Sequence, residues 1–167
     1  MSVLHIEPFS GASGDMFLGA LASLANSHDD LIDLPGQLHL PDARVEVREV
    51  NKNGIACRQV RVIDLAEKAD HSHSHEHSHD QGDEPHHHHH GANRHLSDIV
   101  ELIDGAHIEE GAKTIAREIF QLIGKAESRV HDIPIEKIHF HEVSGVDSII
   151  DIVGAAVLLD RLKVTKT

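Results

Sequence analysis

Two histidines and three carboxylates fall close together near the end of the chain: His139, His141, Glu142, Asp147 and Asp151. In an extended strand over 138–143 the two imidazoles share one face, and Phe140 and Glu142 take the other. A turn at Ser144 and Gly145 leads into a helix over about 146–162, with Ser144 as its expected N-cap. Asp147 and Asp151 are four residues apart on that helix and therefore on one stripe. Asp151 sits between Ile150 and Ile152 in a segment that is apolar nearly all round, and Gly154 extends the stripe without a side chain. A carboxylate in that setting costs several kcal/mol unless a cation, a metal or good donors meet it. Convergence of these five groups would make a divalent-metal set. Mixed imidazole and carboxylate donors suit nickel, manganese, iron or zinc better than calcium, but donor type alone does not choose among them. The plainer alternative is that Asp147 caps the helix, Asp151 pairs with an arginine such as Arg129, and the histidines are satisfied core groups.

A second collection of ligands has no regular geometry. His71, His73, His75, His77 and His79 alternate with small or acidic residues, and His86, His87, His88, His89 and His90 run together. With nothing apolar to bury over 71–90, the segment 67–93 is expected to be a disordered linker. Its neutral imidazoles would offer many weak, exchangeable sites for nickel, copper or zinc, as a metal store or antenna does.

The third candidate is a loop. Ser10, Gly11, Ser13, Gly14 and Asp15 lie between an expected strand over 3–7 and a helix over about 14–25. Backbone N–H groups at such a helix N-terminus, with two hydroxyls, suit a phosphate or carboxylate. No Lys follows the second glycine, so the loop is not a Walker A motif, and Asp15 breaks the G-x-S-x-G pattern of a nucleophile elbow. Asp15 either complements the helix dipole or reaches a ligand.

The rest of the chain must position these groups. Its 167 residues are enough for a real core. Residues 43–50 and 55–65 flank an Asn53-Gly54 turn and read as a β-hairpin, whose exposed Glu46, Arg48, Glu49, Arg58 and Arg61 need no functional explanation. Short helices are expected over 29–40 and from Ser97 to about Asp104, and a longer one over 109–131, ended before Pro134, whose Glu127 and His131, one turn apart, are either an ordinary charge pair or groups that support the nearby metal set. The fold class is α+β: a small mixed sheet of the first strand, the hairpin and the 138–143 strand, covered by about four helices. A βα-hairpin half over 1–66 and a helical half over 94–167 flank the linker and form one domain.

Composition narrows the partners. With 28 acidic against 15 basic residues the net charge is −13, which repels phosphate backbones and argues against nucleic acid. Four Phe and no Trp or Tyr leave little to stack bases or sugars. No apolar run reaches the ~18 residues of a membrane span. The single Cys57 cannot form an internal bridge, fits a cytoplasmic location, and reads as a small buried apolar residue.

Three segments in this order resemble the nickel insertion proteins of the nickel-pincer nucleotide cofactor, over the N-terminal part of that family: 9–16 around Ser10-Gly11-Ala12-Ser13-Gly14-Asp15, His95-Leu96-Ser97-Asp98-Ile99 after the histidine tract, and 139–154 from His139-Phe140-His141-Glu142 through Asp147 and Asp151. Glu7, where Asp is usual, and Ser144-Gly145, where Gly-Ala is usual, are mild departures. The resemblance implies a cytoplasmic chelatase of the lyase class. It would place Ni(II) into pyridinium-3,5-bisthiocarboxylic acid mononucleotide with CTP hydrolysis, using Mg or Mn with the CTP, to mature lactate racemase and related enzymes. In that setting His139, His141, Glu142, Asp147 and Asp151 would hold the metal, and Glu142, Asp147 or Asp151 would accept the pyridinium proton that nickel displaces. The glycine loop would hold the anionic mononucleotide. The family's C-terminal domain is not in this chain, so the chain alone is expected to bind nickel, and with it the mononucleotide, without turnover. A competing reading is a non-catalytic nickel metallochaperone or buffer that uses the tract alone. A metal-dependent hydrolase on the same cluster is a third, and would need a site open to water.

Overall fold

The computed structural model describes residues 2–9, 11–66, 94–140 and 143–167. Ser10, His141 and Glu142 lie outside the described residues, as do all ten tract histidines and the expected linker over 67–93.

In chain order the elements are β1 (Ser2–Val3), α1 (Gly14–Ala25), α2 (His28–Gln37), β2 (Ala43–Lys52), β3 (Ile55–Asp64), β4 (Arg94–His95), α3 (Leu96–Gly105), α4 (Glu110–His131), a 3-10 turn (Ile135–Lys137), β5 (His139–Phe140), α5 (Val146–Arg161) and β6 (Val164–Lys166). The α+β class holds. The strands, however, form three separate two-stranded ladders among the described residues, not one mixed sheet: β1 with β6 in parallel, and β2 with β3 and β4 with β5 antiparallel. Only the hairpin has strands long enough to bury a face. It turns at Asn53 and Gly54, both at positive φ, as an Asn-Gly turn requires, and Asn51 Oδ1 accepts from the Gly54 N–H at 2.8 Å. Its charges form ion pairs, Arg44 and Arg48 on Glu46 on one face and Arg58 on Glu49 on the other, beside α1.

α5 organises the core. Its apolar sequence makes sense because α1, α2, α4 and β3 all pack on it. Ile149, Ile150, Val153, Ala156 and Leu158 are buried against Leu18 and Leu21 of α1, Leu31 and Leu34 of α2, and Phe120 of α4. A side chain on Gly154 would press on Leu31, Leu18 and Leu34 at 3.0–3.4 Å, so the bare glycine lets α5 approach both neighbours. α1 lies equally close to the hairpin, since a Cβ on Gly19 would stand 2.5 Å from the Arg58 carbonyl oxygen.

Three local expectations are corrected. Gly145, not Ser144, is the N-cap of α5; Ser144 is fully buried and its hydroxyl donates to the Phe140 carbonyl at 2.6 Å. The first strand, expected over 3–7, is Ser2–Val3, and it pairs with β6, the segment after α5. Cys57 is exposed on β3, not buried.

Candidate functional site

α1 and α5 bring the glycine loop and the second motif together. Gly14, the first residue of α1, has no side chain because Asp151 occupies the space: a Cβ there would overlap the Asp151 carboxylate, well inside the 3.0 Å that real Cβ atoms keep. Asp147 lies one turn before Asp151 on α5, and Asp15 follows Gly14 in the first turn of α1. Asp151 Oδ1 is buried, and it has no hydrogen-bond partner among the described residues. Burial is the main reason that its pKa rises from the ordinary 3.8 to about 6, and the neighbouring negative charges of Asp147 and Asp15 add to it. The arginine partner of the plainer alternative is absent among the described residues: Asp151 makes no ion pair there, while the most involved arginine, Arg117, is spent on Asp104 and Glu110.

The loop is partly committed. Ser13 is the N-cap of α1, but its hydroxyl donates to the Asp15 carboxylate and not to the helix. Gly11 is exposed at φ +84°, a left-handed position that suits glycine. Three carboxylates at this helix N-terminus make it a poor place for a bare phosphate and a good one for a cation.

His139 is exposed and stands on a neighbouring ladder, its ring 3.8 Å from that of His95 between centroids. His95 pairs with His139 across β4 and β5, and its Nδ1 lies 3.2 Å from the Ile138 carbonyl. Arg94 donates to the Ser144 carbonyl at 2.6 Å, which ties β4 to the turn before α5. The Glu127/His131 pair is an exposed one-turn contact at 3.2 Å, away from any cluster. Among the described residues no three of His, Cys, Asp and Glu stand at spacing that would hold a metal. Of the five expected ligands, then, Asp147 and Asp151 share a site, His139 stands beside His95, and His141 and Glu142 lie outside the described residues.

Asp15 is expected either to complement the helix dipole or to reach a ligand, and the structure sets its charge against Asp151, a tertiary contact that no sequence spacing signals. Lys52, at the hairpin end beside α1, had no sequence signal.

No helix among the described residues is long and apolar enough to cross a membrane. Residues 4–167 match the family model described as nickel insertion protein. The chain is similar to the pyridinium-3,5-bisthiocarboxylic acid mononucleotide nickel insertion proteins of Alkaliphilus metalliredigens, 39% identical over 163 residues, and of Acetivibrio thermocellus, 38% identical over 166 residues. These matches take in 98% and 99% of this chain but only 38% and 37% of the relatives. It is also 36% identical over 166 residues to the protein of the same name from Geobacillus kaustophilus, covering 98% of this chain and 37% of that one. No solved structure matches the chain. Its sequence, from the glycine loop through α5, therefore places this chain in the nickel insertion protein family.

Proposed function

We propose that this chain receives Ni(II) as a substrate at the α1/α5 junction and presents it to pyridinium-3,5-bisthiocarboxylic acid mononucleotide, the compound in its relatives' names. The observation that carries the reading is the buried, unpartnered Asp151 oxygen beside Gly14, with Asp15 and Asp147 adding negative charge. A dication offsets that cost where no protein cation does. Asp151 and Asp147 hold the metal in this reading, and His139, His141 and Glu142 complete its donors. Forming a nickel–carbon bond releases one ring proton per nickel, and a carboxylate not engaged by the metal, Asp15, takes it. Ser10 and Gly11 are assigned to contacts with the organic substrate. His71–His79 and His86–His90 serve as a reservoir that raises local nickel concentration. CTP, with Mg or Mn, belongs in this reading to the part of the relatives beyond the match, as does delivery to lactate racemase, so the chain by itself binds without turnover. We place it in the cytoplasm, where Cys57 stays reduced.

The test is calorimetric nickel titration of the chain with its ten tract histidines replaced by Asn, alone and with Asp151→Ala. One nickel per chain, lost in the Asp151 variant, is expected. Uptake that survives Asp151→Ala refutes the site, and uptake that vanishes with the tract alone favours the competing reading of a histidine-rich nickel buffer.

A further inference from the structure

The carboxylates at the α1/α5 junction suit a cation, which leaves open where a negatively charged nucleotide rests. Asp15 belongs to two places at once: it adds to the charge around Asp151, and it lines a cleft of about 600 Å3 between α1 and the hairpin. Small-molecule sites span roughly 300–1,000 Å3. The cleft walls are mostly apolar, lined by Met16 and Ala20 of α1 and by Val50 and Ala56 of the hairpin, and Met16 is itself largely exposed. The floor is closed where Gly19 lies against the Arg58 carbonyl.

Charge is distributed along this cleft in a specific order. Arg58 lines it but is held by Glu49 at 2.6 Å. Lys52, the other cation in the lining, makes no ion pair among the described residues, although the chain carries a net charge of −13. A free cation therefore stands on the hairpin side and a carboxylate on the α1 side, with an apolar surface between them.

We propose that this cleft binds a pyridinium mononucleotide, with its phosphate on Lys52, its flat ring against Met16 and Val50, and its delocalised positive charge beside Asp15. The choice of ligand class rests on the proposed function; the location does not. An anion on Lys52 is matched by its ammonium donors. A pyridinium ring is both planar and positive, so it suits an apolar wall next to a carboxylate. Ring substituents then point past Asp15 toward Asp147 and Asp151, the side on which nickel is received. The loop contributes Asp15 to the boundary of the two sites, and the phosphate sits away from the three carboxylates.

Cys57 supplies a direct reporter, since it is the only cysteine of the chain, is exposed, and lines the cleft. The experiment measures the rate of Cys57 alkylation by iodoacetamide in the full chain, without nickel, in the presence of nicotinic acid mononucleotide, and separately of inorganic phosphate. Saturable slowing by at least five-fold is expected with the mononucleotide and weaker slowing with phosphate. Protection is taken relative to each protein's own ligand-free labelling rate, and Lys52→Glu is expected to lose it. No protection, or protection unchanged in Lys52→Glu, overturns the cleft as the site. Protection equal with phosphate and mononucleotide overturns the part of the proposal that concerns the ring. Because nickel is omitted, failure here leaves the Asp151 site to be judged by titration, and loss of nickel binding in the Asp151 variant leaves the cleft to be judged by alkylation.

Discussion

Asp151→Asn separates the cost of the site from its use. In the nickel-free chain Asp151 is an ionisable group held partly out of water beside two other carboxylates, so its folded pKa is raised to about 6 from 3.8. A raised carboxylate pKa means that the folded state binds the extra proton between those two values. Stability from this group is therefore greatest below pH 3.8, falls as pH rises through the window up to about 6, and stays reduced above it. The full difference corresponds to ~3 kcal/mol, each factor of ten in proton affinity being ~1.4 kcal/mol. Asp151 is only half-buried, and solvent screening reduces this to ~1–2 kcal/mol. Asn has the same shape and no charge, and its amide can donate to Asp15 or Asp147. Nickel-free Asp151→Asn should thus be more stable than the parent by ~1–2 kcal/mol at pH 7.5, a rise in Tm of about 2–8 °C for a chain of this size. At pH 4 the gain should largely vanish. Comparing the two proteins at each pH cancels the titration of the many histidines common to both. Denaturant unfolding at pH 4 and pH 7.5 checks the prediction, and equal destabilisation at both would refute it, because it would mean that Asp151 is satisfied in the fold. The same substitution should weaken nickel uptake, so the chain would gain stability as it loses its proposed ligand.

Gly14→Ala forces a methyl into the Asp151 carboxylate and should cost ~1–3 kcal/mol in the parent, but clearly less in an Asp151→Ala background, where most of the overlap is gone. A double-mutant cycle of unfolding free energies reads the difference, and additive effects would show that the two residues do not meet. Ser144→Ala removes the donor to the Phe140 carbonyl in a fully buried position and should destabilise by ~1–3 kcal/mol, measured by urea unfolding, where an exposed cap would have cost less.

Much of this architecture was legible in local pattern. α1 begins and ends where its glycine loop and apolar spacing put it, and the hairpin follows from one Asn-Gly pair with β-branched runs on either side. Asp151 was also legible, because a charge inside an apolar helix stands out whatever the fold. What pattern could not supply is tertiary. Two-residue strands such as β1 and β4 lack any period, and each exists only because its partner is there. The role of Ser144 depended on whether the turn beside it was buried, and an N-cap and a buried turn hydroxyl look the same in a sequence. Asp15 was visible as a charge, but its effect on Asp151 comes from the packing of α1 on α5.

The pairing of β1 with β6 has a consequence for how the protein is made. The glycine loop runs from β1 to α1, and β1 is held by Val164–Lys166, with Leu4 N–H donating to the Lys166 carbonyl at 2.9 Å. That ladder closes almost the whole length of the chain, the contact of highest sequence separation in the fold and a slow one to form. Synthesis proceeds from the N-terminus, so the residues flanking the loop wait on the ribosome for a partner made more than a hundred residues later. α1, α2 and the hairpin can associate early, but the anchor of the loop is a late event of folding. The residues that flank the glycine loop are therefore fixed only after β6 has been made.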